Sequence, residues 1–168
     1  DHGERAVRTH DNPGGDVDDP TRSRCYAAVG DGAIFRCEGA TIRALHTPGH
    51  TPDHVVFTLE EEGSMFAGDC VLNGNTATFE DLGEYTESLR RMAQELPAGG
   101  TLYPSHGDVV TDGTNKLAEY LRHRAMREEM FMDALREDWS QRPERGGMTA
   151  SELCQAVYAH QVSYLVLK

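Results

Sequence analysis

The chain has 168 residues, 38% of them apolar, which suits one domain plus a short appendage rather than several cores. Its 28 acidic and 16 basic residues give a net charge of -12, which excludes a surface that holds nucleic acid by bulk attraction, although bound divalent cations would reverse the sign locally. No apolar run approaches the roughly 20 residues of a membrane span, and the first residues are charged rather than a signal peptide's apolar stretch.

Residues 1–22 are rich in Asp, Gly, Pro and Arg, and Asn12-Pro13-Gly14-Gly15 is a turn signal, so this stretch reads as loop. Short β-prone pieces follow at Cys25 to Val29, Ala33 to Cys37 and Thr41 to Leu45, punctuated by glycine-bearing turns that predict hairpins. His54 to Leu59 and Ser64 to Ala67, separated by an acidic turn, add two strands. Leu82, Tyr85, Leu89, Met92 and Leu96 recur at helical spacing and predict a helix that ends near Pro97. Thr101 to Tyr103 is a further strand. A long helix is expected from about Gly113 to Leu135, its apolar stripe running through Leu117, Tyr120, Leu121, Met126, Met130, Phe131 and Leu135.

The polar stretch from Glu137 to Gly147 reads as a linker, so residues 1–136 form one domain portion and 148–168 the start of a second unit. That unit opens on Thr149-Ala150-Ser151-Glu152, a capping box. The four cysteines, Cys25, Cys37, Cys70 and Cys154, have neither CxxC spacing nor a disulfide pattern, which points to a reducing compartment. The start at Asp1 reads as a start inside a longer frame.

Three segments carry chemistry. His46-Thr47-Pro48-Gly49-His50-Thr51-Pro52-Asp53-His54 lies between two predicted strands, and Pro48-Gly49 force a tight loop that presents His50. Gly68-Asp69-Cys70 puts a carboxylate at a strand end beside a glycine that lets a ligand approach. Tyr103-Pro104-Ser105-His106-Gly107 is again a strand end followed by His-Gly. Imidazole and carboxylate at successive strand ends suit zinc or a similar cation. A lone loop histidine is usually a surface residue and Asp after Gly usually a turn residue; the combination in this order is what is specific.

That combination, with Phe79-Glu80-Asp81-Leu82 and Leu121-Arg122-His123-Arg124, resembles the metallo-β-lactamase fold over roughly residues 24 to 160, and within it the lactamase-beta-like endoribonucleases. The resemblance implies an α/β fold, part of an αββα sandwich followed by the start of a winged-helix-like unit. It implies that His50 binds a first zinc, Asp69 bridges and takes part in catalysis, and His106 binds a second zinc. It further implies that single-stranded RNA is the partner, with no DNA and no membrane, and that the metals acidify a water which attacks phosphorus. His54 is expected either to brace the site or to be a backbone-satisfied histidine; His123 reads as a helix-surface residue, and Cys70 as a small buried one.

Family members also carry an HxHxDH motif, and here it is absent; His10-Asp11-Asn12-Pro13 offers one histidine where three are needed. Each metal would then have one histidine plus the shared aspartate, short of the three protein ligands of a catalytic zinc. A half sandwich also leaves an open edge and an uncovered apolar face, which invites aggregation or pairing into a homodimer. Two further functions compete with RNA cleavage: a thioester hydrolase of the glyoxalase II kind, with the same ligands, and a non-catalytic remnant that serves as a binding module.

Overall fold

The computed structural model describes residues 29–165, with side chains as far as Tyr158. The expected loop at 1–22, most of the strand Cys25 to Val29, and the His10 segment lie outside the described residues. Two compact units divide the chain, residues 1–121 and 122–168.

In the first unit five strands form one sheet in the order of the sequence: β1 (Ile34–Cys37), β2 (Ala40–His46), β3 (Val55–Leu59), β4 (Ser64–Gly68) and β5 (Leu102–Pro104). The first four are antiparallel neighbours and β5 runs parallel to β4. Helix α1 (Leu82–Glu95) is the crossover that a parallel pair requires. Helix α2 (Gly113–Gln141) starts in this unit.

One face of the sheet is buried by alternation. Leu45, Val56, Met65, Ala67 and Leu102 form a cluster with Tyr85, Leu89, Met92 and Leu96, and with Leu117 and Tyr120 of α2. Side chains of this size stabilise by about 1.5–3 kcal/mol each when fully buried. Asp81 caps α1, its carboxylate accepting the Glu84 N–H at 2.8 Å. The helix buries the expected stripe except Leu82, which is exposed because it stands at the first helical position, before the buried face begins at Tyr85.

The opposite face is apolar and open. Phe57 pairs with Phe66 and Phe66 with Tyr103 across the strands, and the last two rings stack at 5.2 Å. Phe66 is 41% exposed and Phe35, on the edge strand β1, 48%.

The second unit holds the later part of α2, a 3-10 turn (Pro143–Arg145) and α3 (Ala150–Leu165). Helix α2 runs to Gln141, past the expected end at Leu135, because no breaker intervenes before Pro143. Met126 and Met130, expected in a core stripe, are 55% and 42% exposed. Phe131 and Tyr158 meet edge to face at 5.8 Å, and the Arg127 guanidinium lies 4.8 Å over the Tyr158 ring. The capping box forms: the Glu152 carboxylate accepts the Thr149 N–H at 2.9 Å and its hydroxyl at 2.8 Å. No helix among the described residues is long and apolar enough to cross a membrane.

Candidate functional site

Strand direction decides where the site lies. The end of β2 and the start of β3 share one end of the sheet; β4 runs back to that end, and β5 runs with it. The loop 47–54, Asp69 and Ser105-His106 therefore meet at one rim.

The structure brings His50, Asp69 and His106 together. His50 Nε2 stands 3.7 Å from Asp69 Oδ2, and His106 Nε2 3.5 Å from Asp69 Oδ1. One carboxylate thus presents one oxygen to each imidazole. The Nδ1–H of His50 donates to the Thr78 carbonyl at 2.8 Å; a carbonyl only accepts, so Nδ1 carries a proton and Nε2 is the ring nitrogen turned toward Asp69. The His106 side chain is 69% exposed against 22% for His50.

The His50 loop is held by helix α1 and the segment before it. The Gly49 carbonyl accepts the Glu80 and Asp81 N–H groups at 2.7 and 3.1 Å. Ser88 Oγ donates to the Pro48 carbonyl at 2.7 Å, and Arg91 donates to the His46 carbonyl at 2.9 Å. Gly49 has φ +122°, and a Cβ there would stand 2.2 Å from the Tyr85 nitrogen, so only glycine lets the loop seat against α1. Arg91 also grips both oxygens of Asp31, which accepts the His46 N–H. Burial pushes the Asp31 carboxyl up, but Arg91 and the His46 N–H outweigh it and hold it below the usual carboxylate range.

His54 is not aimed at a ligand. Its Nε2 accepts the Asp69 backbone N–H at 3.1 Å, so Nδ1 carries the proton and donates to Thr47 Oγ1 at 2.8 Å. Burial first, and the nearby His50 second, push its pKa down and keep the ring neutral. Its ring is thus satisfied by a backbone N–H, and that N–H belongs to Asp69. Cys70 is buried, and desolvation pushes its thiol up to about 12, so it is no nucleophile. His123 is exposed on α2, in the second unit.

Sequence reasoning missed Ser105, whose hydroxyl donates to Asp69 Oδ1 at 2.5 Å, and the Thr78 carbonyl that orients His50. Neither has a sequence signal, since a serine between Pro and His reads as a turn residue.

The donor chemistry fits a pair of cations sharing one carboxylate, with an oriented imidazole on one side of it and a second imidazole on the other. Among the described residues no group of three or more His, Cys, Asp or Glu closes around a single point, whereas a catalytic zinc usually takes three protein ligands.

Residues 3–117 match the family described as the metallo-beta-lactamase superfamily. The chain is 48% identical over 128 residues to an atrochrysone carboxyl ACP thioesterase of Aspergillus chevalieri, and 45% identical over 131 residues to the lactamase-like protein aptB of Emericella nidulans. In both cases the match covers 76% of this chain and 41% of the relative, so the chain spans well under half the length of either. Among solved structures, the metallo-beta-lactamase family protein TTHA1429 of Thermus thermophilus matches with TM-score 0.56 and 28% identity, covering 64% of this chain and 38% of that one. A beta-lactamase domain protein of Burkholderia ambifaria matches with TM-score 0.58 and 25% identity, covering 66% and 36%. By the family match over residues 3–117 and by its fold, the chain belongs to the metallo-beta-lactamase superfamily.

Proposed function

We propose that this chain contributes the carboxylate-bearing part of a dinuclear metal site to a thioester hydrolase that releases an acyl group from a carrier protein. The observation that carries the metal reading is the single Asp69 carboxylate set between the Nε2 atoms of His50 and His106. The substrate class rests on the thioesterase name of the relative that is 48% identical. The named relatives carry no RNA-cleaving description, so this reading takes up the thioester hydrolase alternative in place of the endoribonuclease one.

In this reading His50 and Asp69 would hold one cation and Asp69 and His106 the other, and zinc would suit the imidazole and carboxylate donors. When bound, the cations supply Lewis acidity toward a thioester carbonyl and toward water. The chain's own contribution is placement. Thr78 orients the His50 ring, His54 and Ser105 hold Asp69 from its backbone and its carboxylate, and a carboxylate held between two cations would lessen their repulsion. The overall reaction adds water oxygen to the acyl carbon, breaks the C–S bond and releases a carboxylic acid and a thiol.

The test measures metal content by mass spectrometry and thiol release from acyl thioesters, with zinc supplied or chelated, for the chain and for His50→Ala, Asp69→Ala and His106→Ala. Bound metal and zinc-dependent thiol release, both lost in the variants, support the proposal. Metal retained by all three variants, or cleavage of single-stranded RNA without thiol release, overturns it.

A further inference from the structure

We infer that Ser105 is a positioning residue for the Asp69 carboxylate: its hydroxyl holds the carboxylate plane so that one oxygen faces His50 and the other faces His106. The inference rests on the metal reading of the same rim. A terminal carboxylate torsion is a broad, roughly two-fold well, so nothing intrinsic to aspartate holds one orientation. Asp69 is also 39% exposed at its side chain, so packing alone does not lock it. What the structure supplies is the 2.5 Å bond from Ser105 Oγ to Oδ1, within the short range of hydrogen bonds to an ionised acceptor.

The backbone places this hydroxyl. Pro104 pairs with Gly68 at the end of the parallel ladder, and the Ser105 N–H donates to the Gly68 carbonyl at 3.1 Å, extending the pairing one residue further. Serine in a turn commonly spends its hydroxyl on neighbouring backbone. Here the hydroxyl reaches across to a residue 36 positions earlier in the chain. Among the described residues it is the hydrogen-bond donor to that carboxylate, while the other support, His54, acts on the Asp69 backbone N–H.

The choice of donor matters electrostatically. Lys or Arg would hold the carboxylate as well but would repel a dication beside it. A hydroxyl is neutral, and it occupies one of about four lone-pair sites on a carboxylate, which leaves both oxygens able to accept a cation. Ser105 thus orients without competing in charge.

The test compares the full chain with Ser105→Ala and Ser105→Thr, using Co2+ as the probe and its visible absorption as the readout. Loss of a partner that orients a metal ligand commonly weakens metal affinity roughly 10- to 100-fold. Ser105→Ala is expected to fall in that range, and Ser105→Thr, which keeps the hydroxyl, to stay within about threefold of the parent. The same chains are read without metal through the ring-nitrogen resonances of His50 and His106, which Ser105→Ala should move and Ser105→Thr should leave in place. Cobalt affinity and ring resonances both unchanged in Ser105→Ala overturn the inference. If the parent chain binds no cobalt, the metal reading falls, and the metal-free resonances alone decide whether Ser105 sets the carboxylate.

Discussion

The imidazole of His54 occupies the space that a side chain on Gly68 would need: a Cβ there would stand 2.6 Å from Nε2. Because Gly68 also has φ +53°, Gly68→Ala meets both backbone strain and a clash with the ring that holds the Asp69 N–H. A loss of about 2–4 kcal/mol is expected in denaturant unfolding, together with weaker metal binding. Full stability in this variant would show that the ring moves aside at no cost and does not brace Asp69.

Tyr85 is fully buried and its hydroxyl donates to the Cys70 carbonyl at 2.6 Å. Tyr85→Phe keeps the ring stacked on Phe79 at 5.4 Å but removes the donor. The cost should be about 1–2 kcal/mol in the same unfolding experiment.

Thiol labelling should separate the cysteines. Cys37 and Cys154 are exposed and should react with an alkylating reagent in the native chain, whereas Cys70 should react only after unfolding. Desolvation raises the folded Cys70 pKa from 9.0 to about 12, so the folded state keeps the neutral thiol. That contribution is fully present below about pH 9 and is lost as pH rises toward 12, because the unfolded chain ionises first. Cys70→Ala should flatten the fall of stability across this alkaline window.

The second unit has an acid counterpart. Glu152 is held at a pKa of about 2, chiefly by the Thr149 N–H and then by Arg145 and the Thr149 hydroxyl. Its folded value lies below its ordinary value of 4.5, so its contribution is present above that pH and is lost as pH falls from 4.5 toward 2. Helicity followed by circular dichroism should drop through this window, and Glu152→Gln should lose part of that pH dependence. An identical acid profile in the variant would show that the cap does not report on α3.

The sheet was legible because each strand announces itself locally. Val56 and Thr58 alternate inward against Val55 and Phe57, and Glu60 to Gly63 and Glu38-Gly39 mark the turns. Helix α1 was legible from Tyr85, Leu89 and Met92 at helical spacing. The same spacing misread α2: Met126 and Met130 continue the stripe of Leu117 and Tyr120, yet period alone does not say where a packing partner stops. His50, Asp69 and His106 were legible as parts of motifs, but the way the three side chains meet was not. Ser105 reaches Asp69, and His50 reaches Thr78, only once distant strands and loops stand side by side.

Helix α1 grips the 46–50 segment through Ser88 on Pro48 and Arg91 on His46, while the residues just before the helix grip Gly49 and His50. The position of an imidazole is therefore written partly in a helix that contributes no donor of its own. Substitutions at Ser88 or Arg91 can shift His50 by fractions of an ångström without touching the reactive rim. The helix is a tuning screw for the rim, through which His50 can be moved relative to Asp69 with no change of residue at the rim itself.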